Sequence, residues 1–315
     1  MSAPASDRPL VSVCIPTFRR PVQLEQALRS VLAQTYPNFE IVVSDDSGDQ
    51  EQVVRRLDDA RIHYFRNEPH AGMAANFNLS LDRAGGELIG FLHDDDRWLP
   101  QFLERVVGHF TTDPALDLVF TNHYLERADR RWLRACPLPA GKYPDFLPQL
   151  LRYQPVAVSA ALMRRQVWQR VRPLPLICTS DAALFVRIGQ AGHTFYYLDE
   201  PLMIYRVHPG QNSAREIDSR EDGVRLWEGF HFDDPECERM RRGFLARSLL
   251  SLAASRMKQG RYRDASRLAR RARAIGIRGF APRLRTLARI AEFEALARLA
   301  AWIWLRVHPR RTIPA

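Results

Sequence analysis

Short apolar runs alternate with segments of helical periodicity from Val11 to Leu92. Val11 to Ile15 predicts a strand, and apolar residues at helical spacing from Pro21 to Leu32 predict a helix after it. Phe39 to Val43 predicts a second strand, so the first three elements form a βαβ unit. The same alternation continues with a helix at 50–57, a strand at 62–65, a helix at 72–83 and a strand at 88–92. The pattern therefore predicts a doubly wound sheet of four parallel strands flanked by helices.

The alternation becomes less regular in the next part of the chain. Prolines and a glycine crowd the segment from Tyr124 to Gln154, which indicates irregular structure there. The predicted elements around it are a helix at 99–110, strands at 116–121, 156–163 and 194–198, and a helix that Ser180 caps and that ends near Gly189 or Gly192.

The composition changes near Glu216 to Ala, Leu and Arg at helical spacing. Apolar residues at 249–253 and 265–272 resemble one tetratricopeptide-like helical hairpin. The segment 287–307 predicts an amphipathic helix with two tryptophans before a cluster of arginines. Two interpretations of that helix are open: it lies in a membrane interface, or it packs on its neighbours or at a dimer seam. We predict a first domain at 1–213 and a helical region at 214–315.

The formal net charge of +10 favours an anionic partner. Nearly all the cations are arginines, and their densest clusters lie in the C-terminal third, which suits a membrane surface or phosphate-bearing ligands. The sequence has neither zinc-finger spacing nor the aromatic-basic pattern of common RNA-binding domains, so we expect no nucleic-acid partner.

Cysteine spacing and the N-terminus bear on localisation. The four cysteines are widely separated without a Cys-x-x-Cys pair, which is typical of a reduced, cytoplasmic protein. Met1 to Leu10 lacks a basic segment followed by an apolar one, and no apolar run approaches the ~18 residues of a membrane span. We expect a cytoplasmic protein that is soluble or peripheral at the inner face of the cell membrane.

Polar residues collect where the predicted parallel strands end. Thr17 follows the first strand, Asp45 follows the second, and Asp94, Asp95 and Asp96 follow the fourth. The carboxyl ends of parallel strands meet at one edge of a sheet, where ligands bind. Adjacent carboxylates repel one another and are stabilised by a cation. On local sequence alone, a solvated acidic turn and a metal site explain the cluster equally well.

Four motifs, taken in order, resemble those of the family 2 glycosyltransferases of GT-A fold. They are Val13-Cys-Ile-Pro-Thr-Phe-Arg19, Ile41-Val-Val-Ser-Asp-Asp-Ser47, Asn67 with Gly72 and Asn76-Phe-Asn78, and Gly86-Glu87 before Phe91-Leu-His-Asp-Asp-Asp96 with Trp98 and Pro100. The resemblance spans about residues 10–213, and the order of the motifs makes it more specific than any one of them. It implies an α/β protein of GT-A fold, to which the helical C-terminal region is an extension.

The resemblance implies residues for binding the nucleotide of a sugar donor, with UDP as the expected nucleotide. In the family, the Pro-Thr-x-x-Arg loop after the first strand lines the nucleotide pocket, which places Arg19 near the base and diphosphate. The acid after the second strand binds the base, which implies Asp45 or, as the alternative, Asp46. The full set implied for nucleotide binding is Pro16, Thr17, Arg19, Asp45, Asp46, Asn76, Asn78 and Asp94.

An Asp-x-Asp element in the family contacts the ribose and holds a divalent metal. By register from Trp98, the resemblance implies that Asp94 faces the ribose and that Asp95 and Asp96 hold Mg²⁺ or Mn²⁺. His93 stands where the common form has an aspartate, so two metal arrangements are open: Asp94 with Asp96, or Asp95 alone. His93 as a softer ligand is an alternative to a histidine that only bonds a neighbouring loop.

Thr179-Ser180-Asp181 resembles the Glu-Asp motif of the family, with Ser180 in place of the glutamate. The resemblance implies that Asp181 is the catalytic base, which removes a proton from the acceptor hydroxyl in an inverting transfer. The segment from Tyr205 to His208 resembles the loop that closes over the donor, which implies donor contacts from Arg206 or His208. Trp98 has two open interpretations, in the sugar or acceptor site or in the core.

The sequence thus predicts an inverting, metal-dependent glycosyltransferase that uses a nucleotide-diphosphate sugar and a hydroxyl acceptor on a surface polysaccharide or lipid-linked glycan. A nucleotidyltransferase is an alternative, although the loop after the first strand lacks the expected glycines. A noncatalytic scaffold is another, against which the intact Asp45, Asp94, Asp95 and Asp181 argue. A homodimer and contact with an anionic membrane surface are further expectations.

Overall fold

The computed structural model describes residues 8–128, 130–177, 179–208 and 218–276. The chain divides into two compact units, Met1–Gln211 and Asn212–Ala315. The predicted domain boundary near residue 213 lies outside the described residues.

Four parallel strands form one side of the sheet in the first unit. They lie in the order β3 (Ile62–Arg66), β2 (Phe39–Asp45), β1 (Val11–Thr17) and β4 (Leu88–Phe91), and each neighbouring pair is parallel. The helices between them are α1 (Pro21–Leu32), α2 (Glu51–Leu57) and α3 (Met73–Asp82). Pro21 opens α1, where its fixed φ and missing N–H cost least. The predicted doubly wound arrangement is therefore confirmed.

The other side of the sheet mixes strand directions. After β4 the order continues through β9 (Ala161–Arg164), β6 (Leu118–Arg127), β10 (Phe195–Arg206) and β5 (Arg97–Trp98). Strand β9 is antiparallel to both neighbours, whereas β10 is parallel to β6. The strands β7 (Arg130–Arg134) and β8 (Gly141–Tyr143) pair with β6 and β10 respectively. The described sheet thus has ten strands and is mostly parallel only in its first half.

The prediction of irregular structure between Tyr124 and Gln154 was wrong. Strand β6 extends to Arg127 and turns into β7, and β8 and helix α5 (Leu147–Tyr153) follow. Proline occupies the start of α5, where it is tolerated, so the prolines punctuate elements here without abolishing them. Helix α6 (Arg165–Val171) was not predicted from the sequence. The strand predicted at 156–163 is confined to β9, which follows a 3₁₀ turn at Val158–Ala160.

Both faces of the sheet are covered by helices. On one face, α1 and α4 (Phe102–Thr112) pack their apolar side chains on residues such as Val13 and Val119. On the other, α3, α6 and α7 (Ser180–Gln190) pack on residues such as Val42 and Phe120. Because apolar cores fill both faces, ligand-binding groups are left to the edge where the parallel strands end.

The second unit contains α8 (Asp218–Glu228), α9 (Pro235–Lys258) and α10 (Tyr262–Ile275). The predicted helical hairpin corresponds to α9 and α10, which pack through buried residues such as Leu249, Ala253 and Ala269. Asp234 caps α9 by accepting a hydrogen bond from the Cys237 N–H. No helix within the described residues is long and apolar enough to cross a bilayer. The helix predicted at 287–307 lies outside them.

Candidate functional site

The loop after β1 and the turn after β4 meet at the edge of the sheet, because these two strands are parallel neighbours. Asp94 accepts hydrogen bonds from Thr17 Oγ1 at 2.9 Å and from Arg20 Nη1 at 3.0 Å. The same Arg20 nitrogen lies 2.7 Å from Asp95 Oδ2. Thus one guanidinium bridges two carboxylates of the acidic turn, and all of these groups come from strand ends that the sequence predicted to converge.

Arg20 corrects the assignment of Arg19. The spacing of a Pro-Thr-x-x-Arg loop that begins at Pro16 places its arginine at position 20. The side chain of Arg19 is exposed, and its backbone adopts the left-handed conformation with φ at 53°. Its guanidinium carbon lies 5.1 Å from the ring centroid of Phe18. Arg20 therefore contacts the acidic turn, and strict counting of the motif would have found it.

Burial and neighbouring charges shift the pKa values of Asp94 and Asp95 in opposite directions. Burial raises the pKa of Asp94 to about 6; Arg20 opposes the shift and Asp95 adds to it. Burial also acts to raise the pKa of Asp95, but the charges of His93, His208 and Arg20 outweigh it and hold that pKa below its usual value. His208 Nε2 lies 2.9 Å from Asp95 Oδ2. The protein thus raises the pKa of Asp94 and lowers that of Asp95.

His93, Asp95 and Asp96 form a cluster that fits a divalent cation. Each offers one ligand atom, and these atoms lie within 4.8 Å of one another. Asp96 Oδ1 accepts a hydrogen bond from the Arg206 N–H at 3.1 Å, whereas the buried Asp96 Oδ2 has no hydrogen-bond partner among the described residues. Its distance to His93 Nδ1, 3.6 Å, is too long for a hydrogen bond. A buried carboxylate oxygen without a donor is a natural ligand for a hard cation.

Asp181, from the second half of the domain, interacts electrostatically with His93 of the same cluster. Burial acts to lower the pKa of His93, but the carboxylates of Asp96, Asp95 and Asp181 outweigh it and raise that pKa to about 9. Asp181 is half-buried in the first turn of α7, and its Oδ1 accepts a hydrogen bond from the Ala182 N–H. The charge of Asp181 therefore acts on His93 of the acidic turn, and the carboxylate is partly accessible.

The predicted capping role of Ser180 was wrong. Thr179 occupies the N-cap position of α7, and Ser180 is the first helical residue. Its hydroxyl donates to the carbonyl oxygens of Pro175 and Ile177 and so ties the preceding loop to the helix. Ser180 thus fixes the direction in which its neighbour Asp181 enters the site.

The guanidinium of Arg206 offers donors near the acidic turn. Its Nε and Nη2 are buried and have no hydrogen-bond partner within the described part of the chain. Burial and the nearby Arg97 lower the pKa of Arg206, which marks a cation that lacks full compensation. An anionic ligand would supply the missing acceptors.

Asp45 and Asp46 are engaged by contacts within the protein. Asp45 accepts hydrogen bonds from Tyr64 and from the Ser47 and Gln50 residues of its own loop. Asp46 accepts hydrogen bonds from the backbone N–H groups of Ala71 and Gly72 and from Asn67, and it pairs with His70. A carboxylate has about four acceptor positions, so these contacts occupy most of the acceptor capacity of both residues, and their contact with a base stays a prediction. Both hold the loop after β2 in shape.

Asn76 and Asn78 are likewise occupied. Asn76 joins the ends of β1 and β2 by donating to the Ser44 and Thr17 carbonyl oxygens and accepting from Ser44 Oγ. Asn78 pairs with both the N–H and the carbonyl of Leu174, as a neighbouring strand would. Both amides are thus engaged within the protein and help to position neighbouring segments. Their contact with a nucleotide stays a prediction.

Two further predicted residues have different environments. Pro16 lies in β1 opposite Ser44 and precedes Thr17, so it fixes the direction of the loop. Trp98 is only 3% exposed, stacks on Phe102 and donates from Nε1 to the Ser159 carbonyl at 2.6 Å. Of the two interpretations of Trp98, the structure selects the core. Ser159, which also contacts His93 at 3.2 Å, was not identified from sequence because no motif marks it.

Comparisons with known proteins identify the family of the chain. Residues 12–171 match the model of the family described as glycosyl transferase family 2. The chain is 47% identical over 104 residues to GalNAc(5)-diNAcBac-PP-undecaprenol beta-1,3-glucosyltransferase from Campylobacter jejuni. The matched region covers 31% of this chain and 34% of that relative. Over 210 residues the chain is 28% identical to UDP-Glc:alpha-D-GlcNAc-diphosphoundecaprenol beta-1,3-glucosyltransferase WfaP from Escherichia coli, with 66% and 81% covered.

A solved structure extends the likeness to the fold. Mannosyltransferase PcManGT from Pyrobaculum calidifontis, in complex with GDP-Man and Mn²⁺, superposes with a TM-score of 0.59 at 18% identity over 96% of this chain and 88% of that one. At this identity the likeness concerns the fold alone. The predicted GT-A architecture is confirmed. The match to the Campylobacter relative spans only about a third of that protein's length.

Proposed function

Because the chain belongs to glycosyl transferase family 2, we propose that it transfers a sugar from a nucleotide-diphosphate sugar to a hydroxyl group of a glycan. The observation that carries this proposal is that buried polar atoms at one sheet edge lack hydrogen-bond partners among the described residues, namely Oδ2 of Asp96 and both Nε and Nη2 of Arg206. The first suits a cation and the second suits a phosphate. A donor diphosphate with its counter-ion needs both.

The nucleotide would bind along the loop after β1. Thr17 and Arg20 hold Asp94 with one oxygen facing each, which orients this carboxylate for the ribose hydroxyls. Arg206 would supply N–H groups to the diphosphate in place of the acceptors it lacks. The relative WfaP is named for a UDP-Glc donor, which supports UDP as the nucleotide. In this proposal Asp45, Asp46, Asn76 and Asn78 shape the nucleotide pocket from behind.

His93, Asp95 and Asp96 would hold Mg²⁺ or Mn²⁺. The mixture of carboxylate oxygens and one imidazole suits Mn²⁺ in particular, and the neighbour PcManGT is a Mn²⁺ complex. When bound, the cation would stabilise the negative charge that develops on the departing diphosphate. His208, which contacts Asp95, would help to orient that carboxylate.

Asp181 would act as the catalytic base. Its carboxylate would take the proton of the acceptor hydroxyl while that oxygen forms a bond to the anomeric carbon. The bond from the anomeric carbon to the diphosphate oxygen breaks on the opposite face, so the configuration inverts. Asp181 lies in the first turn of α7, where a carboxylate interacts favourably with the helix dipole.

The acceptor would be a surface-polysaccharide or lipid-linked glycan. Both relatives described above are named as transferases to undecaprenol-linked glycans, which supports this substrate class. Such acceptors belong to a membrane, so the protein would work at the cytoplasmic face as a peripheral protein. The transferase domain would comprise residues 1–213, and the helical region would comprise residues 214–315.

Donor binding tests the proposal directly. The full-length protein is titrated by calorimetry with UDP-, GDP- and dTDP-sugars in Mn²⁺, and again in EDTA. We expect one donor to bind with micromolar affinity in Mn²⁺ and at least ten times more weakly in EDTA. The matched control is Asp113→Asn, which changes a half-exposed carboxylate of the same unit that pairs with Lys142. Failure of every donor to bind would overturn the proposed function.

A further inference from the structure

The β6–β7 hairpin exposes two large apolar side chains at consecutive positions of β7, one on each face of the strand. Every residue of β7 is exposed, and Trp132 and Leu133 are 44% and 51% exposed. Strand β7 pairs with β6 alone among the described strands, so it lies at an edge of the sheet. Exposed apolar side chains on an edge strand promote unwanted association. Their presence here indicates a partner for the hairpin.

The strand register arranges apolar and cationic side chains on one face of the hairpin. Trp132 stands opposite Leu125, and on either side of this pair stand Arg127 opposite Arg130 and Arg134 opposite His123. Residues that oppose each other across an antiparallel ladder share a face. This face therefore carries an aromatic–aliphatic pair between arginines.

The other face carries Leu133 with its charges already compensated. Leu133 stands opposite Tyr124, and Arg131 stands opposite Glu126. Glu126 binds both Arg131, at 2.7 Å, and Arg97. In contrast, Arg127, Arg130 and Arg134 form no ion pair with any described residue. Among the described residues, the arginines of the hairpin without an ion pair thus lie on the face that carries Trp132.

We propose that the β6–β7 hairpin docks the protein on an anionic lipid bilayer. Tryptophan favours the boundary between headgroups and acyl chains, and arginines beside it bind anionic headgroups. Arginine on an edge strand also prevents strand pairing, but that role does not explain an exposed Trp132 and Leu133. The apolar set is small beside the ~800 Å² that each partner buries in a stable protein–protein interface. A soluble polyanion would contact the arginines and would not need the exposed Trp132 and Leu133.

Vesicle co-sedimentation of the full-length protein tests the docking surface. The vesicles contain phosphatidylcholine alone or with phosphatidylglycerol, and no sugar donor is present, so the result is independent of the proposed transfer. We expect binding only to the anionic vesicles. Trp132→Ser with Leu133→Ser should weaken it at least tenfold, and Arg130→Gln with Arg134→Gln should weaken it and reduce its salt dependence.

Matched controls separate the hairpin from general charge and apolarity. Arg55→Gln with Arg56→Gln removes two exposed arginines of α2, and Val22→Ser removes an exposed apolar side chain of α1. Both controls should bind like the wild type. Circular dichroism should show an unchanged fold for every variant, because the substituted side chains are exposed.

Insertion of the tryptophan is measured separately with bromine-labelled lipid. The quenching of fluorescence in the wild type should exceed that in Trp132→Phe, because Trp132 contacts the acyl region. Equal vesicle binding by the wild type and the Trp132–Leu133 variant would overturn the proposal. So would loss of binding to a soluble anionic polysaccharide in the hairpin variants while their vesicle binding is unchanged.

Discussion

Arg20 Nη1 lies 2.7 Å from Asp95 Oδ2 and makes a second contact with Asp94, so a cation is built into the acidic turn. All three side chains are largely buried, and charges in such positions are costly unless they are paired. The protein itself therefore compensates part of the repulsion among the three consecutive aspartates. Arg20 does not compensate the third aspartate, Asp96, whose Oδ2 has no hydrogen-bond donor within the described residues.

Removal of Arg20 should make the protein depend on a divalent cation for stability. We expect Arg20→Ala to lower the free energy of unfolding by about 3 kcal/mol, because two buried carboxylates lose their partner. Mn²⁺ should restore more stability to this variant than it adds to the wild type. Thermal unfolding with and without Mn²⁺ measures both effects. Arg19→Ala is the matched control, and similar behaviour of the two variants would contradict the assignment.

Substitution of Asp96 should separate metal binding from stability. In Asp96→Asn the Oδ1 atom can still accept from the Arg206 N–H, and the group removed is an oxygen without a hydrogen-bond donor among the described residues. In EDTA the free energy of unfolding should therefore change by less than about 1 kcal/mol. The Mn²⁺ concentration needed for half-maximal activity should rise at least tenfold. A large loss of stability in EDTA, or an unchanged metal requirement, would show that Asp96 is structural.

Substitution of Asp181 should remove turnover and spare the donor. We expect Asp181→Asn to bind the donor with wild-type affinity and to lose about 10²- to 10⁴-fold in kcat, since only the proton acceptor is lost. Calorimetry measures the affinity, and a discontinuous transfer assay measures kcat. Asp113→Asn serves again as the control. An active Asp181→Asn enzyme would place the base elsewhere.

Acid should erase the contribution of Asp45 to stability. Burial acts to raise the pKa of Asp45, but hydrogen bonds from Ser47, Tyr64 and Gln50 outweigh it and hold that pKa below its ordinary 3.8. The stabilisation is therefore present above pH 3.8 and is lost as the pH falls through the lower folded-state pKa. Asp45→Asn should cost about 2 kcal/mol at neutral pH.

The difference between wild type and Asp45→Asn should shrink as the pH falls below that ordinary value. Urea unfolding from neutral pH to about pH 3 follows it. Asp58→Asn, at an exposed position after α2, should show no such trend. A difference that stays constant over the whole pH range would mean that the Asp45 charge contributes nothing.

Local patterns were sufficient for the first half of the fold. Strands β1 to β4 and helices α1 to α3 were predicted within a few residues, because each is a single amphipathic or buried segment with clear turn residues at its ends. The second half was harder. Strands β7 and β8 are short and exposed or half-exposed, and their pairing with β6 and β10 is decided by neighbours distant in sequence.

The sequence by itself determined that acidic and polar residues from three strand ends meet at one edge of a parallel sheet, since strand direction alone fixes that edge. It could not decide which of those residues remain free for a ligand. That depends on hydrogen bonds between segments far apart in the chain, which engage Asp45, Asp46 and Asn76 and leave Asp96 Oδ2 without a donor among the described residues. Only tertiary contacts distinguish an acid that holds a loop from one that can bind a cation, because the two have the same side chain.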